Sequence, residues 1–504
     1  MTRGTFLGSA ALAFAPPLVP RDALATRAES SGYAEASTPA DVRRLLAELD
    51  ARGAPVTVAS AGTTVAGRDI PFAVASRPRV RTASDARALR RPLVLVVAAS
   101  DAANPAGTEA GLAMLRDLCL SPRKTMLEEV VLVVVPLLNV DGAERPGPVR
   151  TNAPHQNGPE RVGSPANASG TFIDADFVRV DAPETRVVLQ LVRYWQPDLV
   201  VHLTSSDGGY HRFAATSAPP LHPAAVSTGP FVRDRLLPAV RAELRRTFAM
   251  ETFSSGGFGF TLVLPAPPPS PEDENYGWFP GDYRTRILTN YLGVRGVPAL
   301  SVSAYGHDPF ERRIFTTRAF VESVLGFCCD RDAEVMSASR AARRWSGGAV
   351  PLRAALPATP TAIESIDYEN LVLAGAGERE AGVPEGFART GTYGSATLPV
   401  YDRYAGAEYR VQPKLFVIPA AHATGIEPLL QTHAIAYDVA RRSEAYMVRD
   451  YLSGRWSAQR PYAAATGDLL VPGAQPAGPL VSLVLEPESE DGFGVPVLRV
   501  ERDA

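Results

Sequence analysis

Hydrophobic residues in the first two thirds of the chain follow two patterns. Continuous apolar runs are typical of strands buried on both faces of a parallel sheet. Four such runs are PLVLVVAAS (92–100), EEVVLVVVPLLNVDG (128–142), PDLVVHLTSSDGG (197–209) and PALSVSAYG (298–306). Between and around them, apolar residues recur with helical spacing. This spacing predicts helices over 40–52, 107–118, 182–195, 232–248 and 317–329.

The alternation of strands and helices predicts an α/β domain over residues 35–335, with a mainly parallel sheet flanked by helices. A pair of alternating segments around Gly67, within residues 57–76, adds two further strands. Ligands of such sheets bind beyond the carboxyl ends of the strands. The loops where chemistry is expected are therefore 100–109, 139–142, 204–211 and 303–308.

Beyond about residue 340 the helical runs become fewer, and Gly, Pro and Tyr interrupt short apolar alternations such as KLFVIPA and GPLVSLVLEP. This pattern predicts a second, β-rich domain over residues 350–504. Residues 266–277, APPPSPEDENYG, are predicted to be a surface excursion of the first domain. The glycines of AGAGEREAG (374–382) lack the dinucleotide fingerprint, so this segment is predicted to be a linker.

Composition narrows the classes of function. The chain has 504 residues with 51 Lys and Arg against 54 Asp and Glu, so no basic excess indicates a nucleic-acid partner. Three cysteines, two of them adjacent, exclude a disulfide framework and a Cys-type zinc site. After the N-terminus no apolar run is long enough for a transmembrane segment.

The N-terminus is predicted to be a signal peptide of residues 1–25. Arg3 precedes an apolar stretch from Phe6 to Val19, and the small residues Ala23 and Ala25 have the spacing of a cleavage site. Thr2 to Leu7 also resembles a twin-arginine signal in which Gly4 replaces the second Arg, which leaves the export route open. We therefore expect a periplasmic or extracellular protein.

Several blocks, taken together, resemble the bacterial carboxypeptidase A-like zinc metallopeptidases. The resemblance covers residues 40–335 and continues more weakly at LLQTHAI (429–435) and LEPESEDG (485–492). Its blocks are NVDGAER (139–145), HQNGPE (155–160), DFVRVDAPETR (176–186), PDLVVHLTSSDG (197–208), TNYLGVRG (289–296) and SAYGHDPFERR (303–313). The resemblance implies a mixed sheet between helices and a zinc peptidase ancestry.

In that family, a His and a Glu of one loop and a His after a later strand hold zinc, and a fourth position stays open for water. The first loop matches SDAANPAGTEA, which places its His at Asp101 and its Glu at Asn104. The third ligand falls on Thr204 in LTSSDG. Oxygen donors of this kind suit Ca²⁺ or Mg²⁺ better than a hydrolytic zinc. Because a single carboxylate gives little charge to hold a divalent ion, no cofactor is expected, although zinc is the cofactor of the family.

The remaining machinery of the family is replaced as well. Its Asn–Arg pair for the substrate carboxylate falls on Asp174 and Ala175 in FIDADF, and its proton-transferring Glu falls on Ser303 in VSAYG. Flanking residues still match the pattern, so the resemblance implies a scaffold whose chemistry has been lost. The stretches that match the substrate side of the family retain Arg150, Asn152, Arg286, Asn290 and Tyr291. These side chains either line a polar cleft or hold loops in place.

Other arrangements stay open at this point. His202 lies two residues before Thr204 and should face the same side of its strand. With Asp101 and the loop histidines His211 and His307, it could form a rebuilt metal site. Ser303, followed by His307 and Asp308, has no recognised triad context.

We therefore expect an exported, catalytically degenerate relative of zinc carboxypeptidases that binds peptide or cell-wall peptide. Two alternatives are an active metallocarboxypeptidase with a relocated zinc site and a structural module that interacts through its second domain. Whether the chain is an enzyme is left undecided by the sequence.

Overall fold

The computed structural model describes residues 24–121, 126–205, 209–259, 263–264, 270, 272, 275–375 and 387–501. The predicted signal peptide before Leu24, Ser206 to Gly208, most of 266–277 and most of the predicted linker lie outside these residues.

The helices and strands of the described residues are as follows. The α-helices are α1 (Arg27–Ser30), α2 (Pro39–Ala51), α3 (Ala83–Ala88), α4 (Ala106–Leu120), α5 (Val140–Ala143), α6 (Val149–Asn152), α7 (Pro183–Trp195), α8 (Thr228–Phe231), α9 (Leu237–Phe248), α10 (Leu288–Val294), α11 (Phe310–Asp330), α12 (Asp332–Ala342), α13 (Ala420–Thr432) and α14 (Leu480–Leu485). The strands are β1 (Val56–Thr63), β2 (Asp69–Ala75), β3 (Leu93–Ala98), β4 (Val131–Val135), β5 (Gly147–Pro148), β6 (Arg161–Val162), β7 (Leu199–Ser205), β8 (Ala215–Ala218), β9 (Thr252–Ser254), β10 (Gly256–Phe258), β11 (Val263–Leu264), β12 (Trp278–Pro280), β13 (Ala299–Ala304), β14 (Ala349–Ala355), β15 (Ala362–Leu373), β16 (Phe387–Val400), β17 (Ala405–Val411), β18 (Leu415–Ile418), β19 (Asp438–Val439), β20 (Ala445–Leu452), β21 (Arg455–Trp456), β22 (Arg460–Ala463), β23 (Leu469–Pro472) and β24 (Leu498–Val500).

An eight-stranded mixed sheet forms the centre of the N-terminal part, in the order β1-β2-β4-β3-β7-β13-β8-β9. The four strands predicted from continuous apolar runs lie side by side and parallel, as β4, β3, β7 and β13. Antiparallel pairing adds β2 at one side and β8 at the other. The predicted mixed, mainly parallel sheet is therefore confirmed. Strands β8 and β9 were not predicted, because ATSA and TFS are too short and too polar to form an apolar run.

Local sequence signals begin the helices at the predicted places. Thr38 and Asp41 form a reciprocal capping box at the start of α2, with Pro39 in its first turn. Pro183 lies in the first turn of α7, and this helix ends at Gln196, which has a left-handed backbone conformation. Helix α4 packs closely on β7, and Gly107 lies at the point of nearest approach. A Cβ atom there would lie 2.9 Å from the Cβ of Leu203.

The C-terminal region is rich in β-structure, as predicted. It contains a seven-stranded sheet, β19-β23-β18-β24-β20-β21 with β22 paired to β20, and the two-stranded sheet β14-β17. A further sheet joins the long hairpin β15-β16 to β10, β11 and β12 of the N-terminal part. The largest cluster of buried hydrophobic residues also runs across both parts and includes Val201, Leu352 and Leu480. The two regions therefore share a sheet and a core.

None of the helices within the described ranges combines the length and the apolar character that a membrane span requires. The three cysteines of the chain, Cys119, Cys328 and Cys329, are free thiols.

A buried acidic group lies under the C-terminal sheet. Glu486 is fully buried, and Nη1 of Arg499 lies 3.1 Å from its Oε1. Burial raises the pKa of Glu486 to about 7, with the charge of Arg499 opposing the shift and the nearby carboxylates of Glu488 and Glu501 adding to it. The folded state therefore holds a proton on Glu486 at pH values where an unfolded glutamate has lost it.

We predict that Gly107→Ala destabilises the fold by about 1–3 kcal/mol, because the added methyl group would collide with Leu203 and push α4 away from the sheet. The matched control is Gly111→Ala in the same helix, where the new Cβ would lie 3.6 Å from Val134 in ordinary contact. This control should be neutral or stabilising by up to about 1 kcal/mol, because Ala is a better helix former than Gly. Urea unfolding of both variants measures the difference, and equal effects would contradict the packing described here.

We also predict that the free energy of unfolding falls between about pH 4 and pH 8 through Glu486. Its folded pKa of about 7 lies above the unfolded value of about 4.3, so the contribution is complete below the unfolded pKa and is lost as pH rises through 7. Glu486→Gln should remove about 3–4 kcal/mol of this pH dependence. Exposed Glu364, replaced by Gln, is the control. Parallel pH profiles for wild type and Glu486→Gln would refute the assignment.

Candidate functional site

The loop after β3 is held in one geometry by its backbone. Ala99 has φ of 51°, a left-handed conformation that costs a non-glycine residue about 1–3 kcal/mol. The amides of Leu138 and Asn139 donate to the carbonyls of Ala98 and Ala99, at 3.1 and 2.9 Å. These bonds fix the turn and place Ser100 to Asn104 at the carboxyl edge of the sheet. Strain of this kind is common at functional sites.

Within this loop, Asp101 and Asn104 bind each other. Asp101 Oδ2 accepts a hydrogen bond from Nδ2 of Asn104 at 2.7 Å, and its Oδ1 accepts from the amide of Ala103 at 2.8 Å. Oδ1 of Asn104 accepts from Nε2 of Gln156. The oxygens that would face a metal ion are thus engaged with N–H donors.

Gln156 connects this pair to a buried cation. Arg313 is fully buried, and its Nη1 donates to Oε1 of Gln156 at 2.5 Å. It also donates to the carbonyls of Asn157, at 3.1 Å, and Gly158. Burial lowers the pKa of Arg313 to about 10, which leaves it charged at neutral pH. A fixed positive charge behind Asn104 disfavours a divalent cation in the same place.

Thr204 and Ser303 also satisfy each other. They are opposite residues of the parallel strands β7 and β13, and their hydroxyl oxygens lie 2.6 Å apart. These are the positions where the resemblance places the third metal ligand and the proton-transferring Glu. Neither hydroxyl carries the charge that either task requires.

A third polar group, missed by sequence reasoning, surrounds His202. Ser100 Oγ lies 2.6 Å from Nε2 of His202, and Oδ1 of Asp174 lies 3.4 Å from the same nitrogen. A Ser–His–Asp triad requires the hydroxyl and the carboxylate on opposite ring nitrogens, so this group is not one. The register of β3 and β7 could have indicated this group, because His202 is paired with Val97 on β3, the strand that leads into Ser100.

The surroundings of Asp174 keep its carboxyl group ionised. Burial alone would raise its pKa, but the attraction of His202 and hydrogen bonds from His202 and Ser100 outweigh this and lower the pKa. Asp174 lies in the turn Ile173–Ala175, and the neighbouring Ala175 is exposed.

The other two loop histidines lie among aromatic side chains, and the ring of Tyr305 contacts both. His211 lies in an aromatic cluster with Trp278 and Tyr305, and its Nδ1 accepts from the amide of Phe213 at 3.2 Å. Burial lowers its pKa to about 4. His307 stacks on Tyr210 with ring centroids 4.5 Å apart. Over the part of the chain that the structure describes, no three His, Cys, Asp or Glu side chains form a group that could hold a metal ion.

Three of the predicted substrate-side residues lie where the two regions meet. Tyr291 Oη lies 2.7 Å from Nδ1 of His433, in the segment LLQTHAI. The amide of Arg286 donates to Asp491, in LEPESEDG, at 2.9 Å. Asn290 Oδ1 accepts from the amide of Leu221 at 2.7 Å, and its Nδ2 donates to two loop carbonyls.

Arg150 and Asn152 lie beside the loop of Asp101 instead. Both belong to α6, and Val149 of that helix packs against Ala103. Asn152 Nδ2 donates to the carbonyl of Val162 at 3.2 Å, which ties α6 to β6. Arg150 is half-buried, and no described residue forms an ion pair with it.

The residues to which the resemblance assigns the metal positions do not fit zinc. A hydrolytic zinc needs two or three imidazoles with a carboxylate or thiolate, turned toward one point. Here a carboxylate, an amide and a hydroxyl occupy these positions, and each is hydrogen-bonded to another side chain. No catalytic step through zinc can be derived from this arrangement.

Comparisons with known proteins agree with the resemblance in the sequence. The zinc carboxypeptidase family model matches residues 42–179. Among solved structures, the chain is similar to a metallo-carboxypeptidase from Pseudomonas aeruginosa, with 17% identity, 58% of this chain and 69% of that chain covered, and a TM-score of 0.38. It is also similar to a carboxypeptidase A from Helicoverpa armigera, with 13% identity, 62% and 75% covered, and a TM-score of 0.39. No curated protein matches the chain.

The matched segment contains β3, the loop of Asp101 and Asn104, β4 and the turn that carries Asp174. Through residues 42–179, the chain is similar to the zinc carboxypeptidase family.

Proposed function

We propose that this protein is an exported, catalytically degenerate zinc carboxypeptidase that binds peptides or cell-wall peptides without cleaving them. One observation carries the proposal: the side chains at the metal and proton-transfer positions are hydrogen-bonded to one another rather than left open. Asp101 is bonded to Asn104, and Thr204 is bonded to Ser303. In a working site such groups point to a ligand or to water.

The replacement of the proton-transferring Glu by Ser303 supports the same proposal. A catalytic acid–base group works best with a pKa near the operating pH. The Ser303 hydroxyl is far from that range, and its partner is the neutral hydroxyl of Thr204.

Peptide binding is supported by the polar groups that remain accessible at this edge. Arg150 offers a guanidinium without a carboxylate partner among the described residues, and guanidinium groups bind carboxylates through two parallel hydrogen bonds. Asp174 is half-buried and could accept hydrogen bonds from peptide N–H groups. The natural ligand in this proposal is a peptide with a free C-terminal carboxylate.

Export rests on the sequence of residues 1–25 alone. An intact-mass measurement of protein secreted by a bacterial host tests it, because retention of these residues would contradict the signal peptide.

We predict that purified protein contains much less than one zinc per chain and that a chelator leaves its melting temperature unchanged. A metal bound only to the folded state would stabilise it, so its removal would lower the melting temperature. Elemental analysis and thermal unfolding with and without EDTA measure this. N-blocked dipeptides with apolar, basic and acidic C-terminal residues should show no chelator-sensitive release.

A relocated zinc site would give the opposite result. One zinc per chain that is lost in His202→Ala but kept in His422→Ala, an exposed histidine, would show a relocated metal site. If chelator-sensitive release of C-terminal residues accompanied it, the protein would be an active metallocarboxypeptidase and the proposal would fail.

We also predict that Arg150→Ala weakens binding of dansyl-Gly-Gly-Ala by about tenfold, because the variant loses a charge-assisted bond to the peptide carboxylate. The amide of the same peptide should bind weakly to both proteins. Arg179→Ala, which removes another exposed arginine, is the charge-matched control and should bind like wild type. Equal affinity for acid and amide in fluorescence titrations would argue against carboxylate recognition.

A further inference from the structure

A cavity of about 500 Å³ opens at the edge of the main sheet opposite the candidate site. Leu93 begins β3 and Asp198 immediately precedes β7, so these lining residues mark the amino ends of the parallel strands. Ser100 and Thr204 lie at the carboxyl ends. With about 3.3 Å per strand residue, the two edges are roughly 20 Å apart. The cavity therefore belongs to a separate place in the molecule.

The wall of this cavity is strongly cationic. It contains five arginines and one acidic residue, together with an apolar part. The lining residues are Ala86, Arg87, Arg90, Arg91, Leu93, Trp195, Gln196, Asp198, Met336, Arg340 and Arg343. Oδ2 of Asp198 accepts from the amide of Leu93 at 3.0 Å, so part of its capacity is used by the backbone. The net charge of the wall favours an anionic ligand.

Two of the arginines are fixed by the protein. Arg91 Nη1 donates to the carbonyl of Arg77 at 2.5 Å, and Arg343 Nη2 donates to the carbonyl of Pro197 at 2.6 Å. Both bonds use neutral acceptors, and Asp198 is the one acidic residue in the wall. Burial lowers the pKa of Arg343, with Asp198 opposing the shift.

The other three arginines have no counter-charge. Arg87, Arg90 and Arg340 are exposed, and their guanidinium groups form no ion pair or hydrogen bond with any residue that the structure describes. The start of α12 differs, because Glu334 pairs there with Arg235 and Arg331. Arg340, near the end of α12, therefore lacks the kind of carboxylate neighbour that Glu334 provides at the start of this helix.

Two further features indicate that this cavity is a ligand-binding site. Arg90 has a left-handed backbone with φ of 53°, an unfavourable conformation for a side-chain-bearing residue that brings Arg90 and Arg91 to the same wall. Trp195 is 3% exposed, and its buried Nε1–H has no acceptor among the described residues. Buried donors normally have partners, and exceptions often mark ligand positions.

We propose that this cavity binds a small anion that carries a diphosphate group. Guanidinium forks match phosphate oxygens in geometry as well as charge. The arginines come from the end of α3 and the turn after it and from the end of α12, and five arginines against one Asp exceed the charge of a single phosphate group. The volume lies within the range of small-molecule sites, and Trp195, Leu93 and Met336 offer apolar surface for the organic part of a phosphate ester.

The test is isothermal titration of the full-length protein with four probes: orthophosphate, pyrophosphate, ADP and citrate. Pyrophosphate or ADP should bind saturably at one site and about tenfold more tightly than orthophosphate or citrate. ADP tighter than pyrophosphate would identify a phosphate ester as the ligand, and the reverse would identify free diphosphate. Either order supports the site.

The double variant Arg87→Ala/Arg340→Ala should weaken binding of the tighter probe by about tenfold or more. Its melting temperature without ligand should not fall, because both side chains lack partners in the folded protein. Arg43→Ala/Arg441→Ala removes two exposed, unpaired arginines elsewhere and is the charge-matched control. It should bind within about twofold of wild type.

Three results would overturn the proposal. They are the absence of saturable binding by any probe, citrate binding as tight as that of pyrophosphate and ADP, and an equal loss of affinity in the control variant. The second would indicate a general anion site, and the third would indicate attraction by overall charge only.

Discussion

The hydrogen-bonded chain from Asp101 through Asn104 and Gln156 to Arg313 determines what the carboxyl edge of the sheet can do. Arg313 is fully buried, and a buried cation is tolerated only when its N–H groups are satisfied. Gln156 supplies one acceptor and, through its own amide, draws Asn104 into the same chain. The positions that would ligate metal have thus become part of the support of a buried charge. A divalent ion there would have to break these bonds and tolerate the nearby guanidinium.

The four parallel strands of the central sheet could be predicted from the sequence, because their formation depends on local composition. Four apolar runs predicted β4, β3, β7 and β13, and their parallel arrangement follows from the helices between them. The flanking strands β8 and β9 could not be predicted, because their pairing with β13 and with each other depends on long-range register. For the same reason, the sheet that joins β12 to β16 across the two regions was not expected.

The candidate site was predictable in position but not in contacts. A resemblance placed Thr204 and Ser303 on neighbouring strands, and the structure shows them opposite each other in register. It could not show that Gln156, in a loop of irregular structure, reaches Asn104. The resemblance also could not show that Arg150 and Arg286 lie in different parts of the structure. Both match the substrate side of the family, yet one lies beside the loop of Asp101 and the other contacts Asp491 of the C-terminal region.

The two edges of the sheet differ in how their charges are balanced. At the carboxyl edge the N–H groups of Arg313 are satisfied by amide and carbonyl oxygens, and Asp174 faces His202. At the amino edge, Arg87, Arg90 and Arg340 have no described carboxylate partner. An anion bound there would supply the counter-charge and stabilise the folded protein. The physical basis for ligand binding is therefore electrostatic at the amino edge, whereas at the carboxyl edge it rests on hydrogen bonds and the single guanidinium of Arg150.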